Sequence, residues 1–302
     1  MSGDISGETS QIANRQSQIY RIHDCGIRVL AVVTLRFAIY DLRFAIGTPM
    51  IRLSVNVNKV ATLRNSRGGR RPSVLDAVAV CLGAGVAGIT VHPRADRRHV
   101  TPEDVRDIAE ALESHRPFIE FNIEGDPRPD LIDLVLGVVP DQSTLVPVVP
   151  GEVTSQAGWR REGPDAARLP ALVRQLESAG IRVSLFVDPE PAAVRFAAAV
   201  GAHRVELYTE PFARAFERGP SEAERSFGAY AEAARLAHSL GMGVNAGHDL
   251  DLDNLVFFRE LPYLDEVSIG HAIISRAVFV GLDTVVKEYL EVLGSAGSRG
   301  SV

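Results

Sequence analysis

From Met50 onward, eight short runs rich in branched and apolar residues alternate with longer stretches that carry helix signals. The runs are Arg52–Val57, Gly88–His92, Phe118–Asn122, Thr144–Val148, Arg182–Val187, Arg204–Tyr208, Gly243–Ala246 and Glu266–Ile269. They are continuous rather than alternating, as suits parallel strands covered on both faces. Strands that alternate with helices build right-handed βαβ units. Eight such units in about 250 residues match an α/β chain folded as a single (β/α)8 TIM barrel with extra helices. An open doubly wound sheet is the competing architecture. The lack of a Gly-x-Gly-x-x-Gly turn after the first run weakens it.

The intervening stretches have physical punctuation. Thr101-Pro102-Glu103-Asp104 supplies a capping hydroxyl, a proline suited to the first helical position, and acidic residues at the positive helix end. Asp188-Pro189-Glu190 repeats that logic, and Ser221 to Glu224 reads as a capping box opening a helix that runs to about Leu240. Gly180, Gly201 and Gly241 each follow an apolar helical run, where a left-handed residue closes many helices.

Composition excludes some classes. Apolar residues make up 46% of the 302 and charged residues 23%, ordinary values for a globular enzyme with a sizeable core. A net charge of −6 argues against non-specific nucleic-acid binding. The two cysteines, Cys25 and Cys81, have no metal-ligand spacing and fit a reducing, cytoplasmic compartment. The apolar stretch Ile27 to Ile46 is interrupted by Arg28, Arg36, Asp41 and Arg43, whereas a membrane span needs roughly 20 nearly uncharged residues. That stretch holds a tandem near-repeat, Leu35 to Asp41 followed by Leu42 to Gly47, too short for a solenoid. Met50 stands directly before the first strand. The expected organisation is therefore an unordered extension or mis-called start over 1–49, a catalytic barrel over 50–294, and a flexible tail over 295–302. Pro147 to Gly163, with Gly and Pro but little periodicity, is the expected lid.

In a barrel, the active site forms at the C-terminal ends of the strands. Here those ends carry Asn56, Asn58 and Lys59; His92, Arg94 and His99; Glu120, Asn122 and Glu124; Glu152 and Thr154; Glu206; Asn245, His248 and Asp249; and Gly270 with His271. Polar residues at six or more strand tips would point into one mouth. Glu120, between Ile119 and Phe121, is expected to be partly desolvated, which would raise its carboxyl toward the range of a general base. Its bland alternative is an ion pair with an arginine. His92 and His248 can move protons near neutral pH, or each can be a neutral imidazole tied to backbone. Arg64, Arg67, Arg70, Arg71, Arg94, Arg97 and Arg98 crowd two loops and suit anionic small ligands, though several are expected to be solvated surface charge. Gly270-His271 opens the last helical region, where backbone N–H groups suit a phosphate.

Four segments carry a resemblance: Asn56 to Gly69, Gly88 to His99, Val244 to His248, and Ile269 to Arg276. Together they resemble the pyridoxine 5'-phosphate synthase family over about Met50 to Leu293. The resemblance implies a (β/α)8 barrel assembled as a homo-octamer. Its implied substrates are 3-amino-2-oxopropyl phosphate and 1-deoxy-D-xylulose 5-phosphate, joined without metal or organic cofactor. It implies His92 and Glu120 as proton acceptors, His248 as proton donor, and Glu206 as the group that steadies transition-state charge. Asn56, Arg67, Gly270 and His271 would hold the aminoketone phosphate. Asn58, Lys59, Arg94, His99, Thr154 and Asp249 would contact the deoxyxylulose phosphate. Familiar members carry Asp-His in place of Asn58-Lys59, Gly in place of Asp249, and a Glu-Lys-Arg run near Val148–Pro150, so this chain is similar to an Asn-Lys subgroup.

Three rivals follow from the same residues. Lys59 could form a Schiff base in an aldolase-type barrel. His92, His99, His248 and His271 could serve a metal-dependent hydrolase, although no His-x-His follows the first strand. A non-catalytic phosphosugar-binding barrel is the third.

Overall fold

The computed structural model describes residues 50–147, 157–163 and 165–294. The expectations for residues 1–49 and 295–302, for Glu152 and Thr154, and for most of the lid lie outside the described residues. Eight strands close a barrel in chain order: β1 (Arg52–Asn56), β2 (Gly88–Val91), β3 (Glu120–Gly125), β4 (Gln142–Leu145), β5 (Arg182–Val187), β6 (Arg204–Tyr208), β7 (Gly243–Gly247) and β8 (Leu264–Ile269). Every neighbouring pair is parallel, and β8 pairs back onto β1 with Arg52 opposite Glu266.

The helices are α1 (Asn58–Asn65), α2 (Val74–Ala84), α3 (Pro102–Leu112), α4 (Pro129–Val138), α5 (Leu169–Ser178), α6 (Pro191–Ala199), α7 (Glu210–Arg218), α8 (Pro220–Ser239), α9 (Leu252–Phe258), α10 (His271–Val280) and α11 (Leu282–Gly294). They cover the outward strand faces. Leu53, Val55, Ile89, Phe121, Ile123, Val183, Leu185, Val205 and Leu207 are fully buried there. Each such side chain contributes about 1.5–3 kcal/mol. Phe212 stacks with Phe257, packs tilted against Phe258, and joins α7 to α9.

The inward faces are a correction to the expected two-sided apolar strands. Glu120 on β3 meets Arg182 on β5 at 2.6 Å and Arg52 on β1 at 3.0 Å. Thr144 on β4 donates to Asn122 on β3. Ser268 on β8 donates to Glu124 on β3 at 3.5 Å. Contacts between non-adjacent strands must cross the interior, so a polar column fills the barrel where branched aliphatics usually do. Polar groups survive there because they find partners: Arg182 donates to Gln142, and Arg204 donates to Asn245.

That polar column explains two shifted boundaries. β3 starts two residues later than its apolar run suggests and extends to Gly125, and Phe118 is exposed. β4 begins at Gln142, two residues before the expected Thr144, because Gln142 and Ser143 are bonded inside the barrel wall. Among the helix signals, Thr101 and Asp104 form the full capping box. Gly180, Gly201 and Gly241 all have positive φ. Two expected caps differ. α8 opens at Pro220 behind Gly219, ahead of Ser221, since proline already has helical φ. α6 opens at Pro191, and Asp188 instead accepts from the Gly158 amide and pairs with Arg160.

Candidate active site

The site is built on the C-terminal strand ends. His92 directly follows β2 and is 7% exposed. Its backbone N–H donates to Asn58 Oδ1 at 2.9 Å, so the start of α1 fixes the end of β2. Its Nδ1 lies 3.7 Å from Glu124 Oε2, and its Nε2 is buried with no partner among the described residues. Burial and the charges of Arg94, His99, Arg128 and His248 hold this imidazole well below its usual value, in the neutral form.

Glu124 is nearly the last residue of β3. Asn56 Nδ2 donates to its Oε2 at 3.4 Å, and Ser268 Oγ lies 3.5 Å from Oε1. Burial raises its carboxyl to about 8. Glu206 on β6 is also buried, and its Oε2 has no partner among the described residues. Burial, then Glu124 and Glu266, push it well above the usual carboxyl range. Carboxyls this close in a dry site cannot all ionise.

His248 follows β7 with φ of 99°, a conformation that costs a side-chain-bearing residue roughly 1–3 kcal/mol. The His248 amide donates to Ser268 O, which helps hold the turn. Its Nδ1 is 2.8 Å from Asp249 Oδ2, and the ring is exposed. Its charge acts on both His92 and Glu206. A basic rim stands beside them. Half-buried Lys59 is lowered by burial, then by Arg98 and Arg94. His99, 8% exposed, is lowered to about 4 by burial, then by Arg94, Lys59 and Arg98. Lys59, Arg94 and Arg98, the last paired with Asp96 at 3.1 Å, give this rim a basic character that suits a phosphate.

Gly270 follows β8 and caps the start of α10. A Cβ there would stand 2.7 Å from Asn56 O, so only glycine lets β1 and the α10 N-terminus approach this closely. His271 is the first residue of that helix and is exposed.

Not every expected residue converges. Arg67 is exposed on the turn after α1. Asn58 directs its side-chain oxygen to backbone, and Asp249 turns to His248. Glu120 is the main correction. It is the first residue of β3, roughly 13 Å below Glu124 at about 3.3 Å per residue. Arg182, then Arg52, overcome its desolvation and pull its carboxyl below the usual range, the reverse of the expected rise. The bland alternative, an arginine ion pair, describes its surroundings. The error came from reading β3 as ending at Asn122.

A family model described as pyridoxal phosphate biosynthesis protein PdxJ matches residues 53–295. The chain belongs to this family. A pyridoxine 5'-phosphate synthase of Bacteroides thetaiotaomicron is 50% identical over 81% of this chain and 100% of its own length. One of Leptospira biflexa serovar Patoc is 48% identical over 81% of this chain and 97% of its own. A solved phosphoribosyl anthranilate isomerase from Thermotoga maritima aligns with a TM-score of 0.53 at 14% identity, covering 81% of this chain and 99% of its own, which reports the barrel fold alone. Glu124 is the buried carboxyl near the end of β3 to which sequence reading gave no role. It was visible as a strand-end residue. The overlooked signal was parity: Glu120, Asn122 and Glu124 share one strand face, and the last of a series stands at the mouth.

Proposed function

We propose that this chain condenses 3-amino-2-oxopropyl phosphate with 1-deoxy-D-xylulose 5-phosphate, yielding pyridoxine 5'-phosphate, inorganic phosphate and water. The observation that carries the reading is His92: a buried neutral imidazole whose Nε2 has no partner among the described residues, with Arg94 close enough to act on it. The PdxJ relatives, named pyridoxine 5'-phosphate synthases, cover the whole barrel and support it.

The substrate amine attacks the sugar ketone and gives an imine. His92, already neutral, takes a proton beside that imine. Phosphate then leaves from the sugar portion, its charge met by Lys59, Arg94 and His99, with Asn58 holding His92 in place. Asn56, Gly270 and His271 hold the other phosphate at the α10 N-terminus, and Arg67 closes on it from its turn. Thr154 and Asp249 complete the deoxyxylulose phosphate site. His248 returns protons as the ring closes and water leaves. Glu206, pushed well above the usual carboxyl range, steadies charge as a hydrogen-bond donor or as the anion facing a cationic imine. Glu120, the other acceptor of the family pattern, enters one layer down. It is ionised, but its arginines keep its proton affinity low, so direct contact with substrate falls to His92. No cofactor is used. The same reading carries the homo-octamer and a cytoplasmic setting. Among the described residues, no helix is long and apolar enough to cross a membrane.

The test is to mix both phosphorylated substrates with the full chain. The reading expects a pyridine chromophore and one phosphate released per ring; binding without turnover would overturn it. One observation favours the aldolase rival, the lowered Lys59 amine. Borohydride treatment during turnover should leave no substrate mass on Lys59; a trapped adduct would move the chemistry to that residue.

A further inference from the structure

We propose that Thr209 is a positioning residue for His248: its hydroxyl locks the peptide units on both sides of that histidine and so aims the imidazole at substrate. The inference deepens the synthase reading and rests on it for the proton that His248 delivers. Thr209 follows β6 and is fully buried. It is the N-cap of α7, and its carbonyl accepts from the Ala213 amide to start that helix. A threonine at that position usually turns its hydroxyl onto the first amides of its own helix. Here it makes no such bond. The hydroxyl instead donates to Gly247 O at 2.5 Å and accepts from the Asp249 amide at 3.2 Å. A helix cap is given up, and two bonds to the turn after β7 take its place.

Those two bonds flank His248. In the β6–β7 register Tyr208 stands opposite Gly247, so Thr209 comes one step later, beside His248. With φ of 99°, His248 lies in the left-handed region that a β-carbon disfavours. Such a residue keeps its conformation only where its surroundings over-determine it. Thr209 holds the carbonyl before it and the amide after it. The His248 amide donates to Ser268 O, and Asn254 Nδ2 on α9 donates to Asp249 O at 3.1 Å. The anchor is itself fixed, because Tyr230 on α8 donates its hydroxyl to Tyr208 O at 2.7 Å. Gly247 leaves no slack: a Cβ there would stand 2.8 Å from both Glu206 Oε1 and Ser268 O.

The held backbone aims the ring. Asp249 Oδ2 contacts His248 Nδ1 at 2.8 Å, and Asp249 is the residue whose amide Thr209 holds. The hydroxyl therefore fixes the imidazole and the carboxylate beside it as one unit, and Nε2 is the nitrogen that delivers the proton. Thr209 also ties this unit to β6, the strand that carries Glu206, so the two groups keep their separation. Thr209 acts through His248 and is not itself a reacting group.

Hydrogen exchange at the Asp249 amide of the ligand-free full chain, together with kinetics of two variants, tests this. Wild type should exchange that amide slowly. Thr209→Val keeps the shape, loses the hydroxyl, and should exchange it faster. Thr209→Val should also lower kcat about 10- to 100-fold with both KM values little changed. Its solvent deuterium isotope effect on kcat should grow, because proton delivery becomes the slow step. Thr209→Ser returns the hydroxyl and should restore both kcat and slow exchange. A merely structural threonine would shift the melting temperature and leave kcat and the isotope effect as in wild type, which would overturn the proposal. So would rapid exchange at the Asp249 amide in wild type, or a Thr209→Ser enzyme as slow as Thr209→Val. The wild-type exchange and the serine variant stand whether or not Thr209→Val folds. Absent turnover in wild type would instead strike the synthase reading, and the exchange result would still decide whether Thr209 holds the turn.

Discussion

His99 and Glu124 are both buried at the mouth, and they give the protein opposite pH slopes. His99 is lowered to about 4 in the folded state, against about 6.5 unfolded. Between these values only the unfolded chain holds the proton, so stability is lost as pH falls through that window. Glu124 is raised to about 8 from 4.5. There the folded chain holds the proton that the unfolded chain has lost, so stability is lost as pH rises toward 8. Thermal melts of the ligand-free protein should show both limbs. Glu124→Gln should flatten the alkaline limb, with a Tm advantage over wild type that grows with pH and vanishes in acid. A variant Tm that tracks wild type at every pH would mean Glu124 ionises freely.

At the scale of elements, the interior layers and the β8–α10 junction carry the arrangement. Arg182→Ala leaves Glu120 buried with one arginine fewer, and breaking such a pair costs roughly 3–5 kcal/mol. Denaturant titration should show a loss of stability of that size, whereas a change within about 0.5 kcal/mol would mean the polar column is not a network. Gly270→Ala drives a Cβ into Asn56 O and should cost about 1–3 kcal/mol while raising KM for the aminoketone phosphate more than for its partner substrate. Equal effects on the two KM values would separate Gly270 from that phosphate. Much of this was legible in the sequence. The eight apolar runs gave the barrel, since outward residues such as Leu53, Ile89 and Val205 dominate each run. The inward residues were harder to read. Arg52, Glu120, Arg182 and Glu266 look like surface charge until the barrel closes and pairs them across its interior. That pairing involves strands far apart in sequence, and local pattern is blind to it. The same blindness gave the acceptor role to Glu120 and left Glu124, visible at the strand end, without one.

For the whole molecule, the described surface carries a basic rim and several large exposed apolar side chains. The cationic rim lies at the strand ends, while Val278 and Phe279 on α10 are 71% and 87% exposed. Exposed side chains of this size suit burial between subunits, consistent with the octamer in our reading. Phe279→Glu should reduce the mass measured by light scattering while leaving the barrel's circular dichroism intact; an unchanged mass would remove this face from the assembly. The central claim concerns one group, the buried neutral imidazole at the end of β2. Its most direct test is the kcat of His92→Asn in the full chain with both phosphorylated substrates. The account predicts a fall of about 100- to 10,000-fold in a protein that melts like wild type. A folded His92→Asn enzyme turning over at the wild-type rate would contradict it.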